Sequence, residues 1–574
     1  MRQTPTGAMP PNLARAKAFA TLARETFDLL IIGGGITGCG IARDAAMRGW
    51  RVALLEKDDF ASGTSSRSSR LVHGGIRYLE HGHFGLVFEA SRERRTLARI
   101  APHLVRPQGF LWPVYEGARV SAWKLRAALA LYDFLSLFKN LGRTRWLGAD
   151  EIGDREPELR QHGLEAGAVY FDATTDDSRL TVVNARAAVD HGATLLNHAS
   201  VTALGADGTT RTVTVVDQET GTHVVTHARV VVNAAGPWSD SVTQLAVPTM
   251  VNHTVRPSKG SHILVPRERI GNRGAITITS PIDGRVMFVM PAGPTGTEFA
   301  IIGTTETEYE GPPDEVRATT SDIEYILRTA NALFPAARLG IRDVISAWAG
   351  IRPLVPSGQK ETGKVSREHS ITMVAPGVIA VRGGKLTTYR DMASQAVHLA
   401  ARQIGRRGER RARTDLSPLP GGALANELET EINVAARETG ESRLAEHLVR
   451  AYGAEWRDVW MLATSNPCLR EQVQEGLPYL MAEVQFAVER EMARSLCDVL
   501  VRRMHIAFET EDHGVHAAER VLPVMGDVLA WSNERRDAEL ELWHAEMGEL
   551  FGIEIGALNG NSGASLLDGV PSEG

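Results

Sequence analysis

The chain has 574 residues, enough for two to three large domains or roughly four of ordinary size. Apolar residues make up 43% and charged ones 23%, the balance of a folded globular protein, which excludes wholesale disorder. With 63 basic against 69 acidic side chains the net charge is −6, so no bulk positive charge exists to drive nucleic-acid binding.

Residues 1–25 read as an N-terminal extension with scattered Arg2, Arg15, Lys17 and Arg24 and without the apolar core of a secretory signal. Phe27-Asp-Leu-Leu-Ile-Ile32 is a continuous apolar run, which predicts a buried parallel strand. Gly33-Gly-Gly-Ile-Thr-Gly38 follows, then small residues at helical spacing from Cys39 to Arg48. Arg51-Val-Ala-Leu-Leu-Glu56 is a second strand ending in an acid. This is a complete β-turn-α-β unit, with Gly33, Gly35 and Gly38 at the positions of G-x-G-x-x-G. Such glycines allow a tight turn, close approach of backbone to a pyrophosphate, and close helix–strand packing. The phosphate would sit on the helix N-terminus, and Glu56 is set to accept from ribose hydroxyls. The unit by itself does not separate NAD from FAD.

Directly afterwards comes Ser62-Gly-Thr-Ser-Ser-Arg-Ser-Ser-Arg70, then Leu71-Val-His-Gly-Gly75. A cofactor longer than its ADP half needs such small-residue, hydroxyl-rich loops to receive its other end. Leu125 to Phe138 is an apolar stretch between basic flanks (Arg119, Lys124, Arg126; Lys139, Arg143, Arg145), too short to span a bilayer. It reads either as a core helix or as a helix lying in a membrane interface. Ser178 to Gly192 reads as a helix and Ala193 to Leu204 as a strand. Ala228 to Asn233 is another buried strand, leading into Ala234-Ala-Gly-Pro-Trp238. Residues 241–368 are strand-like and turn-rich, as an inserted antiparallel sheet would be. Gly377 to Arg382 is a third buried strand before Gly383-Gly-Lys-Leu-Thr-Thr-Tyr-Arg390, the second small-residue loop. Asp415 to Ala423 is linker-like, and the chain beyond it is helical. There Val484, Ala487, Val488, Met492 and Leu496 keep the spacing of one amphipathic helix. Gly556 to Gly574 reads as a disordered tail.

There is no second G-x-G-x-x-G, which argues against a separate NAD(P)H site. The three cysteines, Cys39, Cys468 and Cys497, form no C-x-x-C pair, no disulfide framework and no metal ligand set. They fit a reducing compartment. Lysine is scarce, eight against 55 arginines, so a lysine in a loop is a stronger signal here than an arginine.

Six motifs, in order over roughly residues 26–400, carry a resemblance: Gly33 to Gly38, Thr64 to Glu80, Lys259-Gly-Ser-His262, Ile302-Gly-Thr-Thr305, Gly350-Ile-Arg-Pro-Leu354 and Gly383 to Arg390. Together they resemble the FAD-dependent glycerol-3-phosphate dehydrogenases, and the helical C-terminal region resembles that family's cap domain. The resemblance implies an α/β + α fold. A Rossmann-like FAD-binding domain would take residues 26–100, 170–240 and 370–405. An inserted antiparallel-sheet substrate or cap domain would take 101–169 and 241–369. A linker over 406–423, a helical domain over 424–555 and the tail over 556–574 complete the chain.

It also implies oxidation of sn-glycerol 3-phosphate to dihydroxyacetone phosphate, with electrons passing from FAD to a quinone. Arg77, Tyr78, Lys259, His262, Arg352 and Arg367 are the implied substrate-binding residues, Arg352 and Arg367 holding the phosphate. His262 is the leading base, with His73 as the alternative, and Arg352 and Lys385 complete the catalytic set. Implied FAD contacts are Gly33, Gly35, Ile36, Thr37, Gly38, Glu56, Thr64, Ser65, Ser66, Ser69, Leu71, His73, Gly74, Gly75, Ala235, Gly236, Gly384, Lys385, Leu386 and Thr387. The expected location is cytoplasmic, peripheral on the inner face of the cell membrane, with a homodimer open. An oxidase of the same fold using O₂, an FAD-dependent amino-acid oxidase and a non-enzymatic flavin protein are the competing readings.

Overall fold

The computed structural model describes residues 9–75, 84–136, 140–250, 256–354, 369–406 and 412–552. Its first sheet is built on the strand Thr26–Ile32, flanked by His223–Asn233 on one side and Val52–Leu55 on the other, both parallel to it. Val378–Gly383 and Thr194–Leu196 extend the parallel set outward, and His369–Ala375 closes one edge antiparallel. The central strands read as unbroken apolar runs because both faces are covered. Leu29 and Ile31 point to the helices Ile36–Met47 and Tyr389–Gln403. Leu30 and Ile32 point the opposite way, to Leu22 and to Val213 and Val215.

Part of that second cover comes from within the N-terminal extension. Pro11–Arg24 is a helix whose Leu22 is fully buried, and Arg15 pairs with Asp217 at 2.5 Å on the hairpin Ala199–Asp207/Thr210–Asp217. The predicted strand from Ala193 to Leu204 divides into Thr194–Leu196 and the start of that hairpin, with His198 at a positive φ of 48° between them.

A second sheet of ten strands supplies the inserted domain. It is antiparallel except where Ala275–Thr279 runs parallel to Arg106–Tyr115. It reaches beyond 101–169 and 241–369 at Leu71–Val72 and at the end of Leu164–Thr174. One face carries the helix Thr320–Leu333. The other meets the helical C-terminal domain, so Phe110, Tyr170 and Trp348 share a core with Trp456, Phe486 and Phe508.

The single amphipathic helix expected through Leu496 stops earlier. Met481–Arg490 ends, Met492 takes a φ of +58°, and a separate turn forms at Asp498–Arg503. The break serves tertiary contacts. Glu491 receives Arg179 of the first domain at 2.7 Å, and Arg502 and Arg503 both reach Asp59 at 2.7 Å.

Candidate active site

The loops at the carboxyl ends of the parallel strands gather on one edge of the first sheet, where open α/β sheets bind their ligands. Gly33 has a φ of +110°, and a Cβ on it would lie 2.7 Å from the Ala234 carbonyl oxygen. A Cβ on Gly38 would overlap the Gly33 carbonyl. These two glycines let turn, strand and helix close on one another. Gly35 instead faces the cavity, at the N-terminus of the helix Ile36–Met47. There the Ser65 hydroxyl accepts from the Ile36 amide at 3.0 Å. Glu56 directly follows the strand Val52–Leu55 and accepts from the Gly34 and Asp58 amides at 2.6 and 2.9 Å. Burial, then the neighbouring Asp58, pushes its carboxyl up to about 7.

One continuous cavity of about 410 Å³ runs from Gly33 and Gly35 to His262 and Arg352. Ile36, Thr37, Glu56, Thr64, Ser65, Ser69, Leu71, His73 and Gly75 line it from the first segment of the domain. Ala235, Gly236, Gly384, Lys385, Leu386 and Thr387 line it from the later ones. The chain's scattered segments therefore meet here; Thr387 Oγ1 accepts from the His73 amide at 3.2 Å and ties two of the loops together. Three expected cofactor residues stand behind this wall. Gly38 packs on Gly33, Ser66 is buried, and the Gly74 amide donates to Asp172 at 2.9 Å.

At the far end His262, on the strand Arg256–Pro266, lies cross-strand from Trp348 on Ser346–Leu354. Their rings stack with centroids 5.5 Å apart and planes 15° from parallel. His262 Nε2 is hydrogen-bonded to the Ser69 hydroxyl at 2.9 Å, and Nδ1 is buried without a hydrogen-bond partner. Burial first, and the positive charges of Arg352 and Arg70 next, hold the imidazole down to about 3. It is a neutral ring at physiological pH.

The glycines of the flanking motifs now have a reason. A Cβ on Gly303 would overlap the His262 ring, and one on Gly260 would overlap the Arg352 guanidinium. Arg352 Nη2 donates to Thr304 Oγ1 at 2.9 Å, which aims the planar cation into this end of the cavity. Lys259 is elsewhere. Its ammonium pairs with Asp322 at 2.6 Å, at the N-terminus of Thr320–Leu333, and it does not line the cavity. Arg77, Tyr78 and Arg367 lie outside the described residues.

Several lining residues were not singled out from the sequence. Arg67 and Trp238 belong to motifs read as loops. Tyr170 and Phe288 come from antiparallel strands, where a cavity-facing aromatic looks like any core aromatic. Among the described residues one trio, Asp59, His198 and Asp498, has ligand atoms close enough for a cation. Arg502 reaches both Asp59 and Asp498 at 2.7 Å, so the site already holds positive charge.

A glycine-fingerprint cleft on a parallel sheet, continuous with a basic pocket under an antiparallel sheet, defines a dinucleotide-dependent oxidoreductase. Residues 28–390 match the FAD dependent oxidoreductase family, and residues 412–536 match the C-terminal domain of alpha-glycerophosphate oxidase. Glycerol-3-phosphate dehydrogenase 2 of Mycobacterium tuberculosis is 38% identical over 551 residues, 95% of this chain and 92% of that one. Glycerol-3-phosphate dehydrogenase of Synechocystis is 35% identical over 545 residues, 92% and 98% of the two chains. The crystal structure of glycerol-3-phosphate dehydrogenase from Bacillus halodurans complexed with FAD superposes with a TM-score of 0.77 at 31% identity. It covers 94% of this chain and 99% of that one. The chain belongs to the FAD-dependent glycerol-3-phosphate dehydrogenase family.

The cradle fits that cofactor on its own geometry. Gly35 leaves the helix N-terminus open to a pyrophosphate, Glu56 offers a carboxylate to ribose, and the cavity continues past the dinucleotide end to His262 and Arg352.

Proposed function

We propose that the protein oxidises sn-glycerol 3-phosphate at C2 to dihydroxyacetone phosphate and passes the electrons to a membrane quinone. The observation that carries this reading is the pairing of a neutral buried imidazole, His262, with the guanidinium of Arg352 at one end of the cofactor cavity. Gly33, Gly35, Glu56, Thr64 and Ser65 would hold the dinucleotide end of FAD, and His73, Lys385 and Thr387 would meet its far end. When bound, FAD supplies the two-electron acceptor for the oxidation. Arg352 offers a planar donor pair that matches phosphate oxygens. His262 takes the C2 hydroxyl proton at the ring edge it shares with Ser69 in the cavity, and Ser69 orients the ring. His73 remains the second choice for the base, and Arg77, Tyr78 and Arg367 are proposed as further substrate contacts on the resemblance.

Docking to a bilayer is part of the same reading. Leu137 and Phe138 lie outside the described residues, and the first part of the apolar stretch lies in the helix Ala122–Leu135, whose Leu125, Leu129 and Tyr132 are buried. Its other side exposes Trp123 (70%) and Phe134 (61%), with Arg119, Lys124 and Arg126 nearby in the chain. No helix among the described residues is long and apolar enough to cross a membrane. An interfacial contact on the inner face of the cell membrane fits this arrangement.

The deciding experiment is an anaerobic visible spectrum of the purified flavoprotein. Glycerol 3-phosphate should bleach the flavin, whereas glycerol and amino acids should not. A quinone analogue should then restore the colour. Reoxidation by O₂ with peroxide at a matching rate would make it an oxidase. Sedimentation with anionic vesicles, lost on replacing Trp123 and Phe134 by Ser, tests the membrane contact.

A further inference from the structure

The helical domain reaches the active site through a stack of rings. Trp348 lies against His262 on one side and meets the Phe508 ring edge-on, with centroids 5.2 Å apart and planes at 72°. Phe508 belongs to the short helix Ile506–Glu509 of the C-terminal domain. Two hydrogen bonds fasten that helix to the first two domains. Ser346 Oγ donates to the Phe508 carbonyl at 2.7 Å, and His505 Nε2 meets Asp176 at 2.8 Å. The Arg70 guanidinium lies 5.9 Å from the Trp348 and Phe508 ring centroids and completes the packing. Trp348 and Phe508 are buried, and neither lines the cavity.

An imidazole has two rotatable bonds, and one hydrogen bond to Ser69 restrains only one of its edges. The remaining restraint must come from packing on the ring face. Cross-strand aromatic pairs supply such restraint in an antiparallel sheet. Gly303 removes the Cβ that would push the ring off this stack.

We propose that Trp348, buttressed by Phe508, is a positioning residue that holds the His262 ring in its working rotamer, so that the C-terminal helical domain helps to align the base. The inference rests on the proposed role of His262. The charged groups that bear on the ring are Arg352 from the same sheet and Arg70 from the Ser62–Arg70 loop. Both would remain in the variants below.

The test uses the FAD-loaded full-length protein and anaerobic stopped-flow reduction by sn-glycerol 3-phosphate. Trp348→Leu should slow flavin reduction roughly 10- to 100-fold, the scale of a misplaced catalytic group, with a smaller change in KM and full FAD content. Trp348→Phe should recover most of the rate. Phe508→Leu, a milder change that keeps the domain packed, should slow reduction in wild type but add nothing in a His262→Ala background. Losses that multiply in that background would overturn the proposal, as would wild-type reduction in Trp348→Leu. Wild-type reduction in His262→Ala itself would instead remove the base assignment on which the proposal stands.

Discussion

His262 keeps one ring nitrogen on Ser69 and the other unbonded, where burial and two arginines oppose its protonation. Its folded value, about 3, lies below the ordinary histidine value of about 6.5. Between those limits the unfolded chain binds the extra proton, so this residue makes stability fall as pH drops from 6.5 towards 3. His262→Asn should therefore lose less Tm than wild type between pH 7 and pH 5, measured by thermal melts. For catalysis the acidic limb of kcat/KM should sit well below 6.5; a limb near 6.5 that survives in His262→Asn would belong to another group. Arg352 admits an equally direct test. Charge-assisted hydrogen bonds to a phosphate contribute about 1.5–3 kcal/mol, so Arg352→Ala should lose roughly 10- to 150-fold in kcat/KM. The poor rate on glycerol should hardly change, and equal losses on both substrates would remove the phosphate role.

At the scale of elements, the glycines mark where backbone must come close. Gly35→Val would fill the approach to the helix N-terminus, and the purified variant should be colourless by its flavin spectrum. Gly303→Ala should leave FAD bound, because Gly303 lies at the substrate end, yet slow flavin reduction by pressing a methyl into the His262 ring. The first of these constraints was legible in the sequence, since fingerprint, helix and acid lie within one continuous unit. The glycines of Lys259-Gly-Ser-His262 and Ile302-Gly-Thr-Thr305 were visible as motifs, but their reason was not. Each makes room for a side chain of another residue, and only strand register brings the two together.

Across the whole molecule, the helical domain is held to the cofactor domain by buried and half-buried charges. Arg179 meets Glu491 at 2.7 Å, Arg186 meets Glu455 at 2.8 Å, and His198 meets Asp498 at 2.9 Å. Burial alone would lower His198, but the Asp498 charge and hydrogen bond outweigh it and lift the imidazole to about 9. Its folded value exceeds the unfolded one, so its contribution is complete below about pH 6.5 and is lost as pH rises through 9. Wild type should lose more Tm than His198→Gln between pH 7 and pH 9.5; identical slopes would place the alkaline loss elsewhere.

The sequence by itself determined the cofactor unit, because Gly33, Gly35, Gly38 and Glu56 act within a span short enough for local spacing to encode their geometry. It also marked His262 and Arg352, through short motifs whose resemblance ran in order along the chain. Only the tertiary structure decided that Lys259 faces Asp322, that the run through Leu496 breaks after Arg490, and that Pro11–Arg24 covers a sheet face. It alone sets Phe508 behind Trp348. In each case the partner lies tens to hundreds of residues away. Helical periodicity and motif spacing describe neighbours along the chain, whereas ion pairs and ring stacks depend on which distant segments the two sheets and the helical domain press together.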